Sequence, residues 1–427
     1  MDKKDWGFET RTIQAGYEPK NGEPRVLPIV QSTTYAYDTA QAVADLFDLK
    51  VEGHMYSRIS NPTVDAFEKK MASLEGGVGA LATSAGQTAS AFAIMNIAGT
   101  GQHVVASTKL YGGTFNLFEH TLRKLGIDFT FVDQNASAEE IKAAFRPETR
   151  ALFGEVLTNP GTEVLDLDKF SAIAKEMDVP LIVDNTFPTP YFCNPIQHGA
   201  NIVIHSATKY IDGHATSVGG VIVDGGNFNW ANGKYPELSE PDPSYHGLSY
   251  TETFGEAAYI VKARVQLTRD FGAYMAPQNA WLCNLGLETL HVRMDRHAEN
   301  ALKVAKWLEA DDRVAWVKYP GLEGDEDYKN AKKYLRGCSG VLTFGVKGGR
   351  AASEAMMDAL ELATIQVHVA DIRTCVLHPA SMTHRQLNDE QQKACGVLPD
   401  LVRVSVGLEK AEDIIADFDQ ALKAATK

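Results

Sequence analysis

Cysteine is scarce in this chain, five in 427 residues, and the five (Cys193, Cys283, Cys338, Cys375 and Cys395) form no C-x-x-C pair and are odd in number. Such a set suggests neither a zinc site nor a disulfide framework, and each reads as a buried thiol. Long apolar runs are missing too. No stretch approaches the length needed to cross a bilayer, and the opening residues, Met1 to Arg11, are charged and polar without the apolar core of a secretion signal. A cytoplasmic protein with no membrane partner is the expectation. Positive charge is in deficit, with 41 Lys and Arg against 55 Asp and Glu for a net charge of -14, and no dense basic run occurs. A phosphate backbone needs a basic surface, so nucleic acid is not an expected partner.

What remains is an ordinary globular composition, 44% hydrophobic and 22% charged, long enough for about two or three domains. Residues 1–61 carry scattered Pro, Gly and polar residues with little periodicity and read as an extended arm. Short apolar runs then alternate with helix-like stretches: Ala80–Thr83, His103–Ala106, Phe129–Val132, Ala151–Leu157, Leu181–Val183, Ile202–Ile204 and Val218–Val223. Strands spaced by helices predict an α/β region with a mostly parallel sheet covered on both faces. Residues 226–250, rich in Gly, Pro, Asn and aromatics, read as an insert. A single helical stretch is expected over Asn279–Glu309, then strands at Val314–Val317, Val341–Val346 and Leu401–Val406 with helices at Arg350–Leu360 and Lys410–Ala424. The resulting division is an arm at 1–61, an α/β domain at 62–285 and, at 286–427, a linking helix with a smaller α+β C-terminal domain.

The most informative stretch is His205-Ser206-Ala207-Thr208-Lys209-Tyr210, directly after the apolar strand Asn201–Ile204. It puts Lys209 at the C-terminal edge of a parallel sheet, where ligands of α/β proteins bind, with two hydroxyls (Ser206, Thr208) able to donate to a phosphate. A lone lysine there would more often reach for solvent, so its neighbours decide. Asp184 ends the strand Leu181–Val183, and a carboxylate so placed can face a cationic ring nitrogen and keep it protonated; alone it would more often be a turn or cap residue. Thr83-Ser84-Ala85-Gly86-Gln87-Thr88 joins a strand to a helix, whose free N–H groups and dipole suit a phosphate, although one Gly at such a turn says little by itself.

Together these segments resemble the cofactor motifs of the Cys/Met-metabolism family of pyridoxal-phosphate-dependent enzymes. Tyr56-Ser57-Arg58-Ile59-Ser60-Asn61-Pro62-Thr63 is similar to that family's arm, and the likeness extends through His378–His384 to Val402–Glu409. The resemblance implies fold type I, with pyridoxal 5'-phosphate held as a Schiff base on Lys209, which also moves protons. It implies that Asp184 pairs with the pyridine nitrogen and that Tyr111 stacks on the ring and helps expel the leaving group. Gly86, Gln87, Ser206 and Thr208 would hold the phosphate, completed by Tyr56 and Arg58 of a neighbouring subunit. The active unit would then be at least a dimer, and the family suggests a homotetramer built from dimers. Arg403 would clamp the substrate carboxylate, with Asn159 nearby. Tyr111 could otherwise be a core aromatic and Arg403 a structural ion pair. His205, His214, His378 and His384 receive no catalytic role and are left to packing or hydrogen bonding.

Within the family, the insert around Phe228–Gly247, Leu285–Leu290 and His384-Arg385-Gln386-Leu387 are similar to the O-acetylhomoserine sulfhydrylase branch. That branch implies a transferase: an amino-acid substrate and sulfide, or methanethiol, give homocysteine, or methionine, and acetate by γ-replacement, with no metal. Gly113 stands where methionine γ-lyases carry Cys. His368 departs from relatives, which read Asn or Ser at this position near the substrate carboxylate. A methionine γ-lyase or a cystathionine synthase or lyase is the nearer alternative, and a non-catalytic cofactor-binding protein the remote one.

Overall fold

The computed structural model describes residues 5–425 apart from 384, 386, 387, 389, 391 and 393–395. His384, Gln386, Leu387 and Cys395 therefore lie outside the described residues.

Seven strands form the larger sheet: β1 (Gly79–Thr83), β2 (His103–Ser107), β3 (Asp128–Val132), β4 (Thr149–Glu155), β5 (Leu181–Asp184), β6 (Ile202–Ser206) and β7 (Gly220–Asp224). Their order is β1-β7-β6-β5-β4-β2-β3. β3, β2, β4, β5 and β6 are parallel, and β7 runs antiparallel to both its neighbours. The mostly parallel sheet expected from the sequence is present. The middles of its central strands are apolar because both faces are covered, and polar residues gather at their ends. With side chains alternating across the strand, Leu152, Val183 and Val203 pack beside Phe67 and Met71, while Phe153, Ile182 and Ile204 belong to the opposite cluster with Ala89 and Phe92.

Two helices cover these faces near the site. Counting the arm helices α1 (Phe8–Gln14) and α2 (Ala40–Phe47) first, they are α3 (Pro62–Glu75) and α4 (Gly86–Met95). α3 starts where Asn61 accepts a hydrogen bond from the Thr63 amide with Pro62 in the first turn, and stops at Gly76, whose φ of 79° is left-handed. α4 has no side-chain cap at its N-terminus. Its first amides are thus left for another acceptor.

A second sheet is made of β8 (Val314–Lys318), β9 (Val341–Val346), β10 (Thr364–Ile365), β11 (Cys375–Leu377) and β12 (Leu401–Ser405), in the order β10-β11-β12-β9-β8. It packs with the helices Leu290–Glu309 and Ala411–Ala425 in one apolar cluster.

Two expectations are corrected. The arm is not wholly extended, since α1 and α2 lie within it; Thr39 caps α2 by accepting from the Ala42 amide. The stretch expected as one helix is two, Pro277–Glu288 and Leu290–Glu309, broken at Thr289 (φ -112°, ψ 9°). At the break the Arg293 guanidinium donates to the Gly286 carbonyl at 2.7 Å, an acceptor that a continuous helix would bond internally, and to Thr289 Oγ1 at 3.2 Å.

Cys193, Cys283 and Cys375 are buried and Cys338 half-buried. Burial raises all four thiols, Cys338 to about 12. Among the described residues no group of His, Cys, Asp and Glu is arranged to hold a metal ion, and no helix is long and apolar enough to cross a membrane.

Candidate active site

A cavity of about 320 Å³ opens at the C-terminal ends of β4, β5 and β6, by the start of α4, and is lined as well by Arg403 of β12 and by Val367, His368 and Val369 between β10 and β11. Of the residues singled out from sequence, Gly86, Gln87, Tyr111, Asn159, Asp184, Ser206, Thr208, Lys209, His368 and Arg403 all line it. Tyr56 and Arg58 do not. Tyr56 is exposed, with the Arg58 guanidinium 5.3 Å from its ring centroid, so within one chain the structure leaves this pair away from the cavity.

Lys209 follows β6. Burial, reinforced by the Arg403 cation, lowers its amine to about 8. Asp184 ends β5, where burial raises its carboxyl while the Thr186 amide, donating to Oδ1 at 2.8 Å, favours the charged form. Thr186 also locks the neighbouring strand, its Oγ1 accepting from the Ser206 amide at 2.8 Å. The α4 N-terminus is pressed against β6: a Cβ on Gly86 would lie 2.7 Å from that of Ser206. Only a glycine lets the uncapped amides of α4 come so near the serine, which makes a concave cluster of donors suited to a phosphate. The Thr208 hydroxyl faces the same cavity but is also bonded to the backbone of Gly219, donating to its carbonyl at 3.2 Å.

At the other end Arg403, on β12, is buried and donates to Asn159 Oδ1 at 3.1 Å and to the His368 carbonyl at 3.2 Å. Among the described residues no carboxylate pairs with it. A buried guanidinium satisfied only by neutral acceptors is poised for an incoming anion. The His368 ring lines the cavity with Nε2 buried and without a hydrogen bond, 3.8 Å from Asp371 Oδ2. Burial and the Lys209 cation lower its pKa and favour the neutral ring. Tyr111 is half-exposed over the mouth. A Cβ at Gly113 would lie 2.5 Å from Tyr111 Cε1, so any side chain there must displace the ring.

Sequence reasoning missed Glu155 and Thr186. Glu155 is buried in the cavity wall at the end of β4, opposite Asp184 in the strand register. Thr186 follows Asp184 by two residues, and a hydroxyl so placed after a strand-end carboxylate was a usable signal. Glu155 offered none, because its place depends on which strand lies beside β5.

A lysine, a strand-end carboxylate and an uncapped helix N-terminus around one cavity in a seven-stranded α/β sheet define a pyridoxal-phosphate enzyme of fold type I. The profile of the Cys/Met metabolism PLP-dependent enzyme family matches residues 9–423, and the chain belongs to that family. It is 47% identical over 97% of its length to an O-acetyl-L-homoserine sulfhydrylase of Leptospira meyeri, 96% of which is covered. It is 44% identical to the homocysteine/cysteine synthase of Saccharomyces cerevisiae, over 97% of each chain. A crystal structure of an O-acetylhomoserine (thiol)-lyase from Campylobacter jejuni superposes with a TM-score of 0.95 at 34% identity, covering 98% of this chain and all of that one, and carries a pyridoxyl-lysine phosphate. Pyridoxal phosphate is the cofactor, and the residues at the Lys209 end of the cavity fit it: the Gly86 cradle for the phosphate, Asp184 for the ring nitrogen and the Lys209 amine for the aldehyde.

Proposed function

We propose that this protein is a transferase that replaces the acetate of O-acetyl-L-homoserine with sulfide, or with methanethiol, to give homocysteine, or methionine, and acetate. The observation that carries this reading is the arrangement of the cavity: a buried, carboxylate-free Arg403 at one end, Lys209 and Asp184 at the other, and no side chain at Gly113 beneath Tyr111. Relatives named O-acetyl-L-homoserine sulfhydrylase and homocysteine synthase support it.

When bound, pyridoxal phosphate supplies an electron sink conjugated to the substrate's α-carbon. The chain's own residues do the rest. Arg403 binds the α-carboxylate through its fork, with Asn159 holding the guanidinium in plane. Asp184 keeps the ring nitrogen protonated. Lys209, its amine already shifted towards the neutral form by burial and Arg403, takes the α-proton and returns it at the end. With that proton handed on, Lys209 takes a second one from the β-carbon, and the electron pair left there expels acetate from the γ-carbon beside Tyr111; sulfide then adds at the γ-carbon and protons return to the β- and α-carbons. Gly86, Gln87, Ser206 and Thr208 hold the phosphate.

Tyr56 and Arg58, away from their own cavity, are assigned to the phosphate site of a second copy, which makes the working unit at least a dimer and, by family likeness, a tetramer of dimers. The division into an arm at 1–61, a cofactor domain at 62–285 and a C-terminal domain at 286–427 is kept as part of this reading, as is a cytoplasmic location. Nucleic acid and membrane have no part in it.

The test is to compare sulfide-dependent homocysteine formation from O-acetylhomoserine with 2-oxobutyrate release from methionine in one preparation. Replacement should dominate in kcat/KM. Dominant methionine cleavage would make the protein a γ-lyase instead.

A further inference from the structure

Glu155 has a place in the cavity wall that the proposed reaction does not use. Each of its carboxyl oxygens accepts one backbone amide: Oε1 from Tyr111 at 2.5 Å and Oε2 from Asn159 at 3.2 Å. Those two residues serve opposite ends of the substrate, Tyr111 at the departing group and Asn159 at the guanidinium that takes the carboxylate. One buried side chain thus spans both. Glu155 also faces Asp184 across adjacent strands, Cα opposite Cα. Two carboxyls enclosed at such a spacing do not both ionise without a cation between them. Asp184 has the Thr186 amide and, in the loaded enzyme, the ring nitrogen to favour its charge. Glu155 has its two amides to favour the charged form but no ion-pair partner among the described residues, and burial and Asp184 outweigh the amides and raise its carboxyl well above the usual range. The other titratable groups around the cavity are Tyr111, Lys209, His368 and Arg403.

We propose that Glu155 is a positioning residue that, in its neutral protonated form, ties Tyr111 to Asn159 and so fixes the distance between the leaving-group end and the carboxylate end of the site. The tether stands on the two amide contacts and the proton on the enclosure of Glu155 beside Asp184, whereas the kinetic consequence rests on the proposed reaction.

The experiment uses the holoenzyme with E155Q and E155A. Gln keeps neutrality and one acceptor oxygen, so it preserves one tether, and the shorter contact with Tyr111 is the one retained. E155Q should keep kcat within a few-fold while KM for O-acetylhomoserine rises by about tenfold; E155A, losing both tethers, should lower kcat by at least about tenfold as well. Infrared difference spectra of wild type against E155Q, at neutral pH, should show loss of a protonated carboxyl band. Loss of carboxylate bands instead would overturn the assigned proton, and equal effects of Gln and Ala on kcat and KM would overturn the positioning role. If E155A does not fold, the E155Q spectrum and its KM decide. A wild-type protein inactive on O-acetylhomoserine would sink the proposed function and leave the infrared result to judge the proton on its own.

Discussion

The two ends of the cavity are built in different ways. The cofactor end comes from adjoining edges of one sheet: the start of α4, the end of β5 and the end of β6, with backbones so close that a single methyl on Gly86 would collide with Ser206. The substrate end is assembled across the molecule. Arg403, on β12, and Asn159, in the turn that follows β4, are 244 positions apart, and His368 and Val367 reach the cavity from the segment between β10 and β11. Geometry at the first end is set by strand register and tolerates no added atom. At the second it is set by how the two sheets dock, which leaves room for specificity to vary while the chemistry stays fixed.

That contrast can be broken by experiment. The largest effect should follow Gly86→Ala, because the new Cβ must push α4 away from β6; overpacking of about 1–3 kcal/mol corresponds to cofactor binding weaker by roughly fivefold to 150-fold, measured by titrating apoenzyme. KM for the amino acid at saturating cofactor should change little. Arg403→Lys should do the reverse. Loss of the planar fork raises KM by about tenfold, while cofactor affinity stays within a few-fold in the same titration. Should Arg403→Lys weaken cofactor binding as much as Gly86→Ala, the two ends are one unit and the contrast fails.

The smallest effect joins the two ends. Burial first, then Arg403, disfavours the Lys209 ammonium and brings its pKa from 10.5 down to about 8. Only the neutral amine attacks the cofactor's aldehyde, so the rate at which apoenzyme captures cofactor should climb through about pH 8 and level off above it. An Arg403→Leu protein loses the repelling cation, so its midpoint should move upward, as stopped-flow absorbance across pH would show. An unmoved midpoint would mean that burial alone sets the lysine.

Much of the cofactor end was legible because its residues sit in short contiguous motifs at strand ends, where an apolar run stopping at Asp184, or just before His205-Ser206, marks the sheet edge. Tyr111, Asn159 and Arg403 carried no such local mark and came from family resemblance. Glu155 was invisible for a physical reason: nothing near it in sequence says that β4 lies beside β5 or that its oxygens reach residues 111 and 159. The short helix α2 was missed although Thr39 offered a cap, because eight residues give little periodicity. The break at Thr289 depends on Arg293 folding back onto Gly286, a contact within one stretch that apolar spacing does not encode.

The four described cysteines bear on how such a protein lives with its own substrate. Thiolate, not thiol, is the form that exchanges with disulfides or is oxidised to sulfenic acid. Burial holds Cys193, Cys283, Cys338 and Cys375 in the protonated form, the half-buried Cys338 up to about 12. Beside a cavity that takes up sulfide, these four positions are thus poor sites for persulfide formation or mixed disulfides.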